Sequence, residues 1–282
     1  MKNRLIKLFQ SSYAQYAAIA TVVVVLIILA LVPIFSLQSN TASLELSDKA
    51  KELWQNGRLE EAARSFITLT EIHPDSTEAE ESLYWAANLY QHYLEQPQQA
   101  TRLYQQLTLR YPNGEFYYPA KMSLAEIYEE DQETIHRALQ IYQQLMLHDQ
   151  LKEQHLDFQF KIGLLYIKSG KMDDARLIFK EMLNKHAQFD YAPEVYYLIG
   201  YTYYLEKRFD LAITVFNKTI KEFPDSPLAN RAQFFVADTL EEQGNMRKAI
   251  EIFNSLVKKY HNPSIIQRRI KTLEARIRRG VR

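Results

Sequence analysis

The sequence predicts an all-α protein: a solenoid of about six helix–turn–helix repeats, closed by a C-terminal capping helix and preceded by one transmembrane helix. Three observations support this prediction. A long apolar run lies near the N-terminus, a short motif recurs six times at a nearly constant spacing, and a basic amphipathic segment follows the last copy. The 282 residues include no cysteine and only 7 glycines, which argues against disulfides, cysteine-ligated metals and glycine-rich phosphate loops.

The N-terminal segment is predicted to span a membrane. A run of 37 uncharged residues contains an almost wholly apolar stretch at 17–37. Because about 20 helical residues cross the hydrocarbon core, we assign residues 1–11 to a basic tail, 12–37 to a transmembrane helix and 38–46 to a linker. The basic tail is expected in the cytoplasm. A cleaved signal peptide is the alternative, although its apolar part is usually shorter and ends in a small-residue cleavage site.

The next segment of the chain repeats one motif. An alanine is followed four residues later by an aromatic residue, and usually by Leu or Met at seven; successive alanines lie 37 or 38 residues apart. Offsets of 0, 4 and 7 share one helix face. Each copy is therefore predicted to be the second helix of a hairpin whose apolar face a neighbouring hairpin must cover. The copies are Ala62/Phe66/Leu69, Ala100/Tyr104/Leu107, Ala138/Tyr142/Leu145, Ala175/Phe179/Met182, Ala212/Phe216/Thr219 and Ala249/Phe253/Leu256.

Prolines and glycines mark the predicted boundaries of these helices. Prolines, which cannot continue a helix, lie twelve residues after the alanine in three copies: Pro74, Pro112 and Pro224. Glycines, whose backbone suits a tight turn, lie five residues before it in three copies: Gly57, Gly170 and Gly244. The second and third copies have Glu95 and Glu133 there instead. On the first helices, Gly163 and Gly200 are expected to let the paired helix approach closely.

The small residue, the aromatic at plus four and the proline at plus twelve match the tetratricopeptide repeat, and the chain resembles that family over about residues 43–263. The resemblance implies a superhelical solenoid, which we place at 47–263, whose first helices line a concave groove for protein or peptide partners. The spacing of 37–38 residues exceeds the basic unit of 34. The clamp of lysine and asparagine that chaperone-tail binders of the family use is absent from the matching positions.

The long period and the Pro-Asp-Ser runs at 74–76 and 224–226 resemble bacterial envelope members of the family. These include the Tol–Pal-associated cell-division coordinator and the BamD-like outer-membrane assembly lipoproteins. A BamD-like lipid anchor is excluded because the chain has no cysteine. The topology, one N-terminal anchor and an exported repeat domain, is similar to that of the YfgM-like accessory subunit of the bacterial translocon.

The resemblance places positions 8, 11 and 15 residues before the motif alanine in the groove. In the fifth repeat these positions form a tyrosine stripe, and aromatic rings dominate peptide-binding hot spots. Packing between helices is the alternative for these rings. Tyr196 and Tyr203, on the opposite face of the same helix, are expected in the core. The predicted partner-binding residues are Tyr84, Phe160, Leu164, Tyr197, Tyr201, Tyr204 and Phe234.

Residues 264–282 are predicted to form a basic amphipathic capping helix. Ser264 and Gln267 have the spacing of a capping box, and an apolar stripe is expected to cover the last repeat: Ile266, Ile270, Leu273 and Ile277. The basic face comprises Arg268, Arg269, Lys271, Arg276, Arg278 and Arg279. A solvated face is the simplest interpretation, with an acidic protein or an anionic lipid surface as alternatives. Nucleic acid is not expected, because no aromatic stacking platform accompanies these charges.

The formal net charge of zero conceals a segregation of charge along the chain. Residues 1–7 carry +3, residues 264–282 carry +6, and the intervening residues carry −9. An acidic repeat region followed by a basic cap suits head-to-tail contacts or two different partners.

Residues typical of catalysis are scarce. The seven histidines are scattered, and neither a zinc-protease motif, a nucleophile elbow nor a phosphate loop occurs. We therefore expect no enzyme, no cofactor, no metal and no small-molecule substrate. The predicted function is a single-pass scaffold of the bacterial inner membrane, with a cytoplasmic N-terminus and a periplasmic repeat domain that binds protein or peptide partners in the cell envelope. A periplasmic chaperone-like accessory subunit of a translocon or an outer-membrane assembly pathway is the alternative.

Overall fold

The computed structural model describes residues 41–185, 189–260 and 262–280, in which all regular structure is helical. The predicted transmembrane helix, residues 12–37, lies outside these ranges. Within them, no helix combines the length and the apolar character needed to cross a membrane. The α-helices are α1 (residues 41–55), α2 (Leu59–Ile72), α3 (Ala79–His92), α4 (Pro97–Arg110), α5 (Tyr117–Glu130), α6 (Ile135–Leu145), α7 (His155–Lys168), α8 (Met172–Lys185), α9 (Ala192–Leu205), α10 (Phe209–Glu222), α11 (Pro227–Glu242), α12 (Met246–Leu256) and α13 (Pro263–Arg278).

The chain divides into two compact units, Met1–Ile127 and Tyr128–Arg282. In the described part of the first unit, α3 packs against α2 and α4. In the second unit, every helix from α6 to α13 packs against its neighbour in the chain, and α9 also meets α11. A short 3₁₀ helix, Asp149–Gln154, precedes α7. Packing between successive helices is the arrangement expected of a helical repeat, because each hairpin covers its apolar face with the next.

The repeated motif forms the core of every hairpin. The six motif alanines are 0% exposed, and the six aromatic residues four positions later are at most 3% exposed. The third motif position is equally buried, since none of its side chains is more than 2% exposed. The predicted role of these 18 residues as the buried face of the second helices is confirmed.

Two glycines allow the helices of a hairpin to approach closely, as expected. A Cβ atom on Gly163 would lie 2.3 Å from Cε1 of Phe179, and one on Gly200 would lie 2.8 Å from Cδ1 of Phe216. Real Cβ atoms do not come this close to another atom, so the phenylalanine ring occupies the space that a side chain on α7 or α9 would need.

The turns between helices contain the glycines predicted from the sequence. Gly57, Gly170 and Gly244 have φ angles of +75°, +73° and +81°, which L-residues with a Cβ rarely adopt. Glu95 and Lys207 take the same left-handed conformation, with φ angles of +53° and +58°, at a cost of about 1–2 kcal/mol each. The helices that precede the three prolines end two residues earlier, at Ile72, Arg110 and Glu222.

The start of the repeat region differs from the prediction. Residues 41–46, expected to belong to the linker, are helical and belong to α1. The reason is a stripe of small residues at helical spacing, Ser43, Ser47 and Ala50, each at most 1% exposed. The Ser43 hydroxyl also donates a hydrogen bond of 2.7 Å to Oε2 of Glu78, which ties this turn to the segment before α3.

The C-terminal helix covers the last repeat, as predicted. Ile266 and Leu273 are fully buried, and they pack with Phe253 and Leu256 of α12. The predicted capping box is wrong, however. The helix begins one residue early, at Pro263, and Ser264 donates its hydroxyl to Oδ1 of Asn262 over 2.7 Å instead of accepting from a backbone amide. Proline suits this first helical position because its ring fixes φ near the helical value.

Candidate protein-interaction surface

Three tyrosines of α9 meet one phenylalanine of α11. The ring centroid of Phe235 lies 5.8 Å from that of Tyr197, 5.4 Å from that of Tyr201 and 5.1 Å from that of Tyr204, always edge to face. Aromatic pairs favour this geometry because the positive edge of one ring meets the negative face of another. Tyr201, Tyr204 and Phe235 are half-buried, and these three side chains are called the aromatic surface below.

Tyr197 lies beneath the aromatic surface. It was expected to be exposed, but it is only 5% exposed, because it packs 5.8 Å from the Phe216 ring and under the guanidinium of Arg231, whose central carbon is 4.9 Å from the tyrosine ring centroid. Burial raises the pKa of Tyr197 to about 12, against the opposing effect of the Arg231 charge. Arg231 itself is exposed, so a positive charge borders the aromatic surface at this end.

The other end of the aromatic surface is a network of ion pairs. The Tyr204 hydroxyl donates to Asp238, and Arg269 of α13 pairs with the same carboxylate. Arg269 Nε also lies 2.7 Å from Oε2 of Glu241, while Arg276 Nη1 lies 2.9 Å from Oε1. Burial and the neighbouring Asp238 carboxylate raise the pKa of Tyr204. Two guanidinium groups thus neutralise two carboxylates, and the orientation of the Tyr204 ring is fixed.

The predicted basic face of the C-terminal helix is divided in two. Arg269 and Arg276 turn toward α11, with side chains that are 37% and 36% exposed. The remaining four cations are exposed on the outer side of the helix: Arg268, Lys271, Arg278 and Arg279.

The other predicted binding residues of the second unit lie elsewhere. Phe160 of α7 stacks on Tyr191 with a centroid distance of 4.9 Å and an interplanar angle of 9°. Leu164, on the same helix, is half-buried. Phe234 packs between Phe253 and Tyr260, at centroid distances of 5.4 and 5.3 Å, which makes it part of the core under α13 rather than of the aromatic surface.

Tyr84 belongs to a separate aromatic cluster in the first unit. Its ring lies 4.9 Å from Phe116 and 5.2 Å from Trp85, and Trp85 lies 5.2 Å from Trp54 of α1. The indole of Trp85 donates to Glu81 over 3.0 Å.

Sequence reasoning missed Phe235 and Trp85. Both lie on a first helix and contact the first helix of the preceding repeat, where Phe235 meets Tyr204 and Trp85 meets Trp54. Phe235 lies 14 residues before its motif alanine, Ala249, immediately after the predicted groove position at 15. A bulky aromatic residue at this adjacent offset is the signal that could have identified it, whereas the inserted residue in the second repeat shifts Trp85 out of register.

This arrangement of rings and charges is suited to binding. Its charged side chains are paired or exposed, and its rings are held by edge-to-face contacts. Across the described ranges, no three residues of the His, Cys, Asp and Glu types come close enough together to hold a metal ion.

Comparison with known proteins identifies the repeat. Family models described as "Tetratricopeptide repeat" match residues 160–227, 197–262 and 81–114. None of the curated proteins matches the chain. Among solved structures, a tetratricopeptide repeat protein from Parabacteroides merdae has 17% identity and a TM-score of 0.60, over 83% of this chain and 88% of that one. PilW, a type IV pilus biogenesis factor, has 16% identity and a TM-score of 0.51, over 83% and 99%. At these identities the likeness concerns the fold alone.

Proposed function

We propose that this chain, which contains tetratricopeptide repeats within residues 81–114 and 160–262, is a protein-interaction scaffold that holds a partner segment on its aromatic surface. The observation that carries the proposal is the cluster of Tyr201, Tyr204 and Phe235, three large rings that remain half-accessible on adjoining helices. Aromatic side chains offer large contact area for little loss of conformational entropy.

The aromatic surface is organised before a partner arrives. The Asp238 carboxylate holds the hydroxyl of Tyr204, and the rings of Tyr201 and Tyr204 lie nearly parallel at a centroid distance of 6.4 Å. Rings that are already ordered lose less freedom on binding, which favours affinity. The exposed Arg231 at one end and the neutralised carboxylates at the other favour a segment with a large apolar side chain followed or preceded by an acidic residue.

We further propose that residues 12–37 anchor this scaffold in the bacterial inner membrane, with the repeats in the periplasm. The apolar stretch at 17–37 and the basic tail before it support this topology. Mass spectrometry of the purified full-length protein tests it. An intact N-terminus is expected, whereas a mature N-terminus near residue 43 would mean that the protein is released from the membrane.

Site-specific photocrosslinking tests the interaction surface. Tyr201 is replaced in the full-length chain by a photoreactive phenylalanine derivative, and the products formed in cells are identified. Tyr196 gives a matched control, because it is another half-buried tyrosine of α9 whose ring packs instead 5.7 Å from Phe223. The position 201 chain should form one dominant adduct that the position 196 chain lacks.

Variants of the aromatic surface complete the test. With the photoreactive residue at position 204, the double variant Tyr201→Ser and Phe235→Ser should no longer form the adduct. The control variant Tyr196→Ser should still form it. Helical content should be unchanged in the double variant and in the control. Equal adducts at positions 196 and 201 would refute the proposed surface. Many different adducts at position 201, with none dominant, would instead favour the chaperone-like alternative.

A further inference from the structure

The first described helix, α1, has an acidic face that is exposed. Glu45, Asp48 and Glu52 are exposed and follow one another at intervals of three and four residues, which places them along one stripe of the helix. None of the ion pairs found among the described residues involves these three carboxylates. Beside the stripe, Leu44 is 50% exposed, and Lys49 is exposed as well.

The last described helix, α13, has the opposite charge on its outer face. Its inner face buries Ile266 and Leu273 against α12, and Arg269 and Arg276 are occupied by the carboxylates of α11. The exposed cations form no ion pair among the described residues, and they run along the outer side of the helix with Glu274 among them: Arg268, Lys271, Arg278 and Arg279. Ile265, at the start of this face, is 44% exposed.

We propose that copies of this chain associate head to tail, with the outer face of α13 in one copy docked on the acidic face of α1 in the next. Three carboxylates then meet four cations, and Leu44 and Ile265 supply apolar contact at the margin. A symmetric dimer through either face would place like charges opposite each other, which disfavours it. The contact is therefore heterologous, the type that produces chains or rings of subunits.

The size of the two faces sets the strength of this contact. A single pair of helices of about four turns buries less than the roughly 1,200 Å² typical of stable complexes. The association is accordingly weak and reversible, and because the charges lie in solvent, added salt screens it over a Debye length of about 8–10 Å.

Directed crosslinking tests the proposal, since the chain contains no natural cysteine. Asp48→Cys is introduced into full-length protein with one affinity tag and Lys271→Cys into full-length protein with a second tag of different size. Both proteins are purified in mild detergent, mixed at low ionic strength and treated with a flexible bismaleimide. A product that contains both tags is expected, with little product from either variant alone, and it should disappear at high salt. Absence of the mixed product, or equal amounts of the same-variant products, would overturn the proposal.

A charge swap provides the second test. Glu45→Lys with Glu52→Lys in the Asp48→Cys chain should lower the mixed product by at least roughly tenfold, because like charges then face each other. Arg268→Glu with Arg279→Glu in the Lys271→Cys chain should do the same, and combining the two altered chains should restore the product. All four positions are exposed, so circular dichroism should show unchanged helicity. If the two altered chains together did not restore the crosslinked product, the pairing of these faces would be contradicted. The basic face would then be assigned to another ligand, such as an anionic lipid.

Discussion

The guanidinium carbon of Arg176 lies 4.5 Å from the centroid of the Tyr203 ring. Arg176 extends from α8, its side chain is only 4% exposed, and its Nη1 atom lies 2.8 Å from Oε2 of Glu206 at the end of α9. The same guanidinium is 3.2 Å from the hydroxyl of Thr202. A buried cation thus joins the fourth repeat to the fifth. Tyr203, expected in the core from its position on α9, is half-buried under this charge and that of Arg208.

Replacement of Arg176 should destabilise the protein more than replacement of Arg208. Arg176→Met leaves Glu206 without its buried partner and Thr202 without a donor, so the free energy of unfolding should fall by about 2 kcal/mol. Arg208→Met removes an exposed cation from the Tyr203 ring and should change the free energy of unfolding by less than about 1 kcal/mol. Urea unfolding followed by circular dichroism measures both values. Equal losses would show that the buried pair is not what joins the two repeats.

Gly163→Ala should be destabilising although alanine is the better helix former. The added methyl group would meet the ring of Phe179 at 2.3 Å, and overpacking of this kind costs about 1–3 kcal/mol, against a gain of about 1 kcal/mol in helix propensity. In a background of Phe179→Leu the substitution should cost less. Thermal unfolding of the wild type, both single variants and the double variant gives this coupling, and strictly additive effects would argue against the contact.

Ser226 and Ser264 should respond differently to alanine. The Ser226 side chain accepts a hydrogen bond of 3.2 Å from the amide of Leu228 at the start of α11, and loss of such a cap costs about 1 kcal/mol. Ser264 makes no equivalent bond, so Ser264→Ala should stay within about 0.5 kcal/mol of the wild type. Denaturation midpoints of the two variants measure the difference, and a larger loss for Ser264→Ala would restore the capping box at α13.

Tyr197 should contribute to a loss of stability in alkaline solution. Burial raises the pKa of this tyrosine from 10.0 to about 12 in the folded protein. Its neutral phenol therefore contributes stability that is fully present below pH 10 and is lost as the pH rises through 12. Tyr197→Phe should flatten the fall in unfolding free energy over this interval, with Tyr196→Phe as the reference for loss of one phenol hydroxyl. An unchanged slope in Tyr197→Phe would contradict the raised pKa.

The buried positions of this fold were predictable from sequence because their pattern is local. Ala62, Phe66 and Leu69 share a helix face by spacing alone, and the same spacing in five further copies identified the core. The left-handed turn at Gly170 was predictable for the same reason, since a turn residue depends on its own φ angle. These features require no knowledge of how one repeat meets the next.

The interaction surface was only partly predictable because it depends on contacts between repeats. Tyr197 and Tyr201 share one stripe, yet Phe216 and Arg231 bury the first and leave the second accessible. Arg269 and Arg268 are adjacent in sequence, but only Arg269 reaches carboxylates that lie on α11, some 30 residues earlier. Spacing along one helix cannot reveal which side of it a distant residue will occupy.

Packing between successive helices in the second unit also has a kinetic consequence. The helices there pack mainly against their neighbours along the chain, so folding requires little closure of long loops. Helical proteins of low contact order fold within microseconds to milliseconds. A growing chain can form each hairpin as soon as it has been synthesised and can add the next one to it. The earliest hairpins would then serve as the template on which later ones fold.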